Sequence, residues 1–363
     1  MRTSPSPSRV GTWVDLVQQL DALDDADKNA FLMQGMASAL QRVGELRAEA
    51  HDSDHPRNVL MYASGWLQKA GASGAKVSIT PEDLNGFMAT IHGMDWPAHL
   101  TIILHTPGGS PAAAQTIVSY LRTKFEDIEV IVPTYAMSAG SMISLSANRI
   151  VMGRQSQLGP IDPQITLAGG PTMSARAIVE QFEKARHDIV GNNEEPGTPA
   201  AAALWGPILT GLGPSLLTES NNALKFGEEM VRDWLSEYML QGDKAKAESM
   251  ASHFNDASSH KSHSRRIDRE EARSIGVVIE DMEEPQALQE EILTAYHLAT
   301  ILFEKSMITK LIMTSHDKSW FKQSALTPGP ESNSPDKGAD RPSRPKHQGR
   351  TTSKKKGAKK KKT

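Results

Sequence analysis

LTIILHTPGGSPAAAQTIVSYL (residues 100–121) and IEVIVPTYAMSAGSMISL (residues 128–145) decide the fold of this chain. Each opens with an apolar run, Leu100–Leu104 and Ile128–Val132, that stops at a tight turn and passes into small residues at helical spacing. Strand, turn and helix, repeated, make a βαβα unit whose turns lie beyond the carboxyl ends of parallel strands, where ligands of such sheets bind. The first turn is Pro107-Gly108-Gly109, whose glycines leave backbone N–H groups open to a ligand. The second sets Ser138 at a predicted helix start, ahead of Ala139 and Gly140, where orphan amides and the helix dipole favour negative charge. A hydroxyl beside two sets of free amides is the equipment of acyl transfer, a nucleophile together with donors for the oxyanion.

Composition sets the frame around that unit. With 363 residues, 38% of them hydrophobic, the chain is long enough for a sizeable core in one or two domains. No cysteine is present, which excludes disulfides, thiolate metal sites and a cysteine nucleophile. Neither a cofactor nor a metal is predicted. The opening residues lack the apolar centre of a signal peptide, and no run of about 18 apolar residues occurs, so the sequence predicts a soluble, cytoplasmic protein without a membrane span. The net charge of −3 hides an asymmetry. Residues 331–363 carry twelve Lys or Arg against three Asp or Glu, a local +9, which leaves −12 on residues 1–330. Without interleaved aromatics the basic tail reads as a solubilising segment, with nucleic acid or an anionic surface as its alternative partner.

Three regions follow from the pattern along the chain. Residues 1–50 read as an N-terminal helical segment of two amphipathic helices, broken at Asp24–Asp27. Residues 56–315 read as the catalytic domain, an α/β unit with right-handed crossovers. Its predicted elements include a first strand at Asn58–Ala63, a helix from Thr80-Pro81 to about Met94, a strand at Arg149–Met152 and helices at Ser174–Val190 and Asn222–Leu240. A polar segment at Gln241–Arg266 holds His253, His260 and His263. An Asp-capped helix at Ile267–Ser274, a short strand at Val277–Ile279 and one or two helices over Pro285–Met313 close the domain. Residues 327–363, rich in Pro, Ser, Gly and Lys, read as a disordered tail.

Four motifs, LHTPGGS (104–110), PTYAMSAGSM (133–142), LGPIDPQ (158–164) and IDREEARSIGVV (267–278), resemble those of the serine dehydrogenase proteinases. That family is a signal peptide peptidase A-like branch of the ClpP/crotonase superfamily. The resemblance implies a ClpP/crotonase-like spiral of ββα units and hydrolysis of peptide bonds in peptide or unfolded protein substrates. It also implies a homo-oligomer, a closed ring or a stack. It places the nucleophile at Ser138 and the oxyanion hole on the amides of Gly109 and Ala139, with Gly108 permitting the close approach. No histidine occurs in Gln157–Asp162, where the Clp branch carries its base, so the resemblance points to a Ser-Lys dyad instead.

Two lysines compete for the base. Lys184 lies among Glu180, Glu183 and Arg186 on a charged helix face. Lys225 sits between Leu224 and Phe226, apolar neighbours that would strip water from its amine and make it a base near neutrality. Lys225 is the favoured choice, with His263, supplied by a lid, as a third. Ser110, Ser141 and Ser144 read as capping or packing hydroxyls. A crotonase-type acyl-CoA enzyme, which polarises a thioester with the same amides, and an inactive ClpP-like scaffold are the alternative readings.

Overall fold

Why the strands are so apolar is plain once both faces of the sheet are seen to be covered. In the computed structural model, residues 12–51, 56–94, 99–167, 170–191, 196–213, 215–256 and 265–324 are described. β1 (Asn58–Ser64), β2 (Leu100–His105) and β3 (Ile128–Val132) are buried at every position, as expected of parallel strands sandwiched between helix layers. They alternate between two cores. Leu60, Ile102 and Val130 face one, and Met61, Ile103 and Ile131 face the other.

On the first face lie α4 (Asp83–Ile91), α5 (Pro111–Arg122), α6 (Ala139–Leu145), α9 (Leu216–Trp234) and α10 (Lys244–Asn255). Covering the second are α1 (Trp13–Asp21), α2 (Asp25–Glu49) and α12 (Gln286–Lys305). Also among the described residues are α3 (Gly74–Val77), α7 (Ala175–Val190), α8 (Pro199–Leu212), α11 (Arg269–Ile275) and a π-helical turn, Leu235–Met239, that continues α9. Among the described residues, α8 has no buried position. No single helix there is long and apolar enough to cross a membrane.

The main sheet has seven strands in the order β10-β5-β3-β2-β1-β11-β12, where β5 is Arg149–Met152, β10 is Ile279–Asp281, β11 is Ile308–Thr314 and β12 is Ser319–Gln323. The first five are parallel, and β11 and β12 follow antiparallel at one end, with β12 at the edge. A second, three-stranded sheet joins β4 (Tyr135–Ala136), β6 (Gln157–Leu158) and β9 (Ile267–Asp268). β3 and β4 thus run from the large sheet into the small one before α6, and β5 and β6 repeat the step. These are the expected ββα units in a mixed α/β fold. A two-stranded ribbon pairs β7 (Gln164–Thr166) with β8 (Thr172–Ser174).

Two sequence expectations are corrected here. Residues 285–313 are not all helical. α12 ends at Lys305, and Ile308–Thr314 forms a strand buried at all seven positions beside β1. A strand buried on both faces lacks the alternation that would have separated it from the helical run before it. The segment 241–266 is not simply polar either. Asp243 caps α10 by accepting from the Lys246 amide at 3.0 Å, and Ala247, Met250, Ala251 and Phe254 make its buried face. The basic tail, His260 and His263 lie outside the described residues.

At the amino-terminal end of the parallel strands, opposite the turns, a buried ionic cluster ties α2 to the sheet. Arg47 makes a two-pronged pair with Glu129 at 2.9 and 2.8 Å, and Thr101 Oγ1 donates to the same carboxylate at 2.7 Å. Burial pushes the Glu129 carboxyl up, but hydrogen bonds from His51 and Arg47 and the charges of Arg57 and Arg47 outweigh it and hold the group well below its usual range.

Candidate active site

Thr106 joins the two turns at the other end of the sheet. Its amide donates to the Tyr135 carbonyl at 3.0 Å, its carbonyl accepts from the Met137 amide at 3.1 Å, and its hydroxyl accepts from the Gly108 amide at 3.2 Å. Residues 106–108 are thereby laid against 135–137. Gly140 allows the approach, since a β-carbon there would come within 2.5 Å of Thr106 Cγ2.

Ser138 stands at the head of α6 with φ 52° and ψ −116°, a backbone conformation that side chains other than glycine's rarely take. Such strain in a non-glycine residue persists only where the surroundings over-determine it, and it gathers at reactive sites. The side chain caps no amide of its helix and is half-buried. Neither the Gly109 amide nor the Ala139 amide donates to a carbonyl or side chain among the described residues. The structure therefore brings together Gly108, Gly109, Ser138 and Ala139, and leaves two donors without partners beside one hydroxyl. Ser141 and Ser144 are structural, as read. Ser141 Oγ donates to the Ala136 carbonyl at 2.7 Å and accepts from the Gly159 amide at 2.8 Å, which docks the LGPIDPQ turn onto α6, and Ser144 Oγ donates to Gly140 O at 2.9 Å. Ser110 caps α5 through the Ala113 amide.

The expected environment of Lys225 is not there. The lysine is exposed on α9, and its neighbour Phe226 is itself 39% exposed. Gly227 of α9 faces α6, where a β-carbon would lie 3.4 Å from Met142 Cε. Two residues along a helix differ by about 200°, so Lys225 turns away from α6, and helical geometry rather than neighbouring sequence sets its surroundings. Lys184 is 62% exposed and pairs with Asp188 at 3.3 Å, one turn along α7.

His105, inside the LHTPGGS motif, went unremarked in the sequence although the motif contains it. It lies on the α12 side of the sheet with Ile103, its ring 5.0 Å from that of Tyr296. Nδ1 is 2.9 Å from Thr134 Oγ1, and Nε2 is buried without a partner. Burial pushes its pKa down to about 3. Facing away from α6 and uncharged near neutrality, it supports the floor of the site. No group of three or more His, Asp or Glu side chains among the described residues is placed to hold a metal ion.

Part of the chain is similar to known proteins. The family model described as ClpP-like SDH-type serine proteinase matches residues 78–193. The uncharacterized protein MJ0137 of Methanocaldococcus jannaschii is 38% identical over 183 residues, 46% of this chain and 58% of the relative. The uncharacterized protein MJ1495 of the same organism is 39% identical over 87 residues, 24% of this chain and 30% of the relative. The chain thus spans a little over half of one relative and under a third of the other. Among solved structures, a mutant of the 1510-N membrane-bound stomatin-specific protease is similar at 19% identity with a TM-score of 0.33, over 57% of this chain and 77% of that one. The sequence match carries the assignment, and the distant structural likeness adds nothing to it. The segment 78–193, which holds both glycines, Ser138 and Ala139, is thus similar to the ClpP-like SDH-type serine proteinases.

Proposed function

We propose that the protein is a serine peptidase that works by acyl transfer through Ser138. A lysine amine takes the Ser138 hydroxyl proton as the oxygen bonds to the peptide carbonyl carbon. The oxyanion that forms is held by the amides of Gly109 and Ala139. The protonated lysine returns the proton to the leaving amine as the C–N bond breaks, and water then hydrolyses the acyl ester. The observation that carries this reading is the unbonded Ser138 hydroxyl at φ 52° between two amides that have no other acceptor.

Lys184 is the preferred base. It lies within the matched segment 78–193, whereas Lys225 lies outside it and turns away from α6. A lysine acts as a base only when stripped of water, and both amines are open to it here. Enclosure by a bound peptide or by a second copy of the chain supplies that step. The proposed substrates are peptides or unfolded proteins, and the proposed assembly is a homo-oligomer. The test is hydrolysis of an unstructured peptide by the parent and by Ser138→Ala. Loss of turnover by at least about 1000-fold with an unchanged melting temperature is expected, and equal rates would remove Ser138 from the reaction.

A further inference from the structure

Lys310 is charged, belongs to an interior strand and has a fully buried side chain. Burying an ammonium is costly unless it is paired and hydrogen-bonded. Its Nζ meets Asp83 Oδ1 at 2.5 Å and the Ser78 carbonyl at 2.9 Å. Asp83 in turn accepts from the Thr80 amide at 2.9 Å and the Tyr62 hydroxyl at 3.0 Å through Oδ2. The Lys310–Asp83 pair therefore grips both ends of the three residues Ser78, Ile79 and Thr80.

What those three residues do explains the pair. The Ile79 amide donates to the Gly108 carbonyl at 2.8 Å, and the Ile79 carbonyl accepts from the Ser110 amide at 2.9 Å. This is a parallel bridge centred on Gly109. In such a bridge the central residue's own N–H and C=O turn away from the partner strand. The Gly109 amide is thus aimed away from Ile79, and the neighbouring Gly108 is packed against Ser138. Only glycine fits at 109, because a β-carbon there would collide with the Ile79 carbonyl. The direction of one oxyanion donor is set by a single residue, Ile79, which is pinned on both sides by a buried charge pair.

We infer that Lys310 and Asp83 are positioning residues for the oxyanion hole, holding the 78–80 segment so that it orients the Gly109 amide toward the tetrahedral oxygen. The inference rests on the serine peptidase reading above. An oxyanion donor matters in the transition state and not in the ground state, so its misorientation lowers kcat and leaves KM alone.

The experiment compares the parent, Lys310→Met, Asp83→Asn and Ser138→Ala for peptide hydrolysis and for inhibition by a peptide boronate, which mimics the tetrahedral state. Rates are expressed per folded molecule from near-ultraviolet circular dichroism. In Lys310→Met, kcat should fall about 30-fold and boronate inhibition should weaken by a similar factor. KM should stay within about twofold of the parent. Asp83→Asn should shift both quantities in the same direction and carries the test if Lys310→Met does not fold. Unchanged kcat and boronate affinity in the folded variants, with Ser138→Ala inactive, overturns the positioning role alone. A fully active Ser138→Ala overturns the positioning role and the peptidase reading together.

Discussion

A β-carbon on Gly108 would lie 2.7 Å from Ser138 Cβ and 3.2 Å from the Ala139 amide nitrogen, so the bare Cα of Gly108 is the surface against which the Ser138 side chain and the Ala139 amide rest. Gly108 also has φ +97°, so a side chain there meets backbone strain as well as collision. Gly108→Ala should lower kcat by about 100-fold or more, because a shift of about 1 Å at the reacting centre has that effect. Peptide hydrolysis alongside a thermal melt checks this. Activity retained within about threefold in a folded variant would mean that the contact is incidental.

The choice of base is settled by exchanging the two lysines singly. Lys184→Met should lower kcat by about 1000-fold, within the usual reach of general-base catalysis, while Lys225→Met should change it little. A rising limb in the kcat/KM pH profile should vanish in the first variant only. The opposite pattern would return the role to Lys225.

His105 gives the protein a built-in sensitivity to mild acid. The unfolded chain takes up this proton near pH 6.5, while the folded ring, desolvated among Tyr135, Tyr296 and Trp66, resists until about 3. The unfolded state therefore binds more protons below about pH 6.5, and stability must fall with pH from there toward 3 at up to about 1.4 kcal/mol per unit. His105→Phe should flatten the slope of urea-unfolding free energy between about pH 6.5 and 5. His297, which burial also holds below its usual value, contributes to the residual slope. An unaltered slope would contradict the assigned burial.

The Glu129 cluster acts in a lower window. Its folded carboxyl is held down, so its contribution is complete above the unfolded value of about 4.5 and is lost as pH falls below it. Glu129→Gln leaves buried Arg47 with only the half-buried Glu280 as counter-charge, and should cost about 3 kcal/mol at pH 7. Its unfolding free energy should also decline less steeply than the parent's between about pH 5 and 3. Equal slopes would show that the cluster keeps its charge state.

Much of the site is written in glycines and one serine because an oxyanion hole is made of backbone. Gly108, Gly109 and Ser138 can be read without knowing their neighbours, and the two strands before them are marked by unbroken apolar runs. The base could not be read that way. Whether Lys225 meets water depends on the face that α9 turns to α6, fixed by the Gly227–Met142 contact and not by Leu224 and Phe226. Strand Ile308–Thr314 was hidden for a related reason. Burial on both faces erased its alternation, and its one charged residue, Lys310, makes sense only beside Asp83, 227 positions away. Helix α10 was hidden because its buried face is built largely of alanine and methionine, which a polar segment masks.

The central claim is that the hydroxyl of residue 138 is the nucleophile. Treating the folded protein with a fluorophosphonate and identifying the modified residue by mass spectrometry tests it most directly. A single adduct on Ser138, absent from Ser138→Ala and accompanied by loss of peptide hydrolysis in proportion to labelling, is the predicted result. An adduct on another serine, or hydrolysis that continues with Ser138 fully modified, would contradict it.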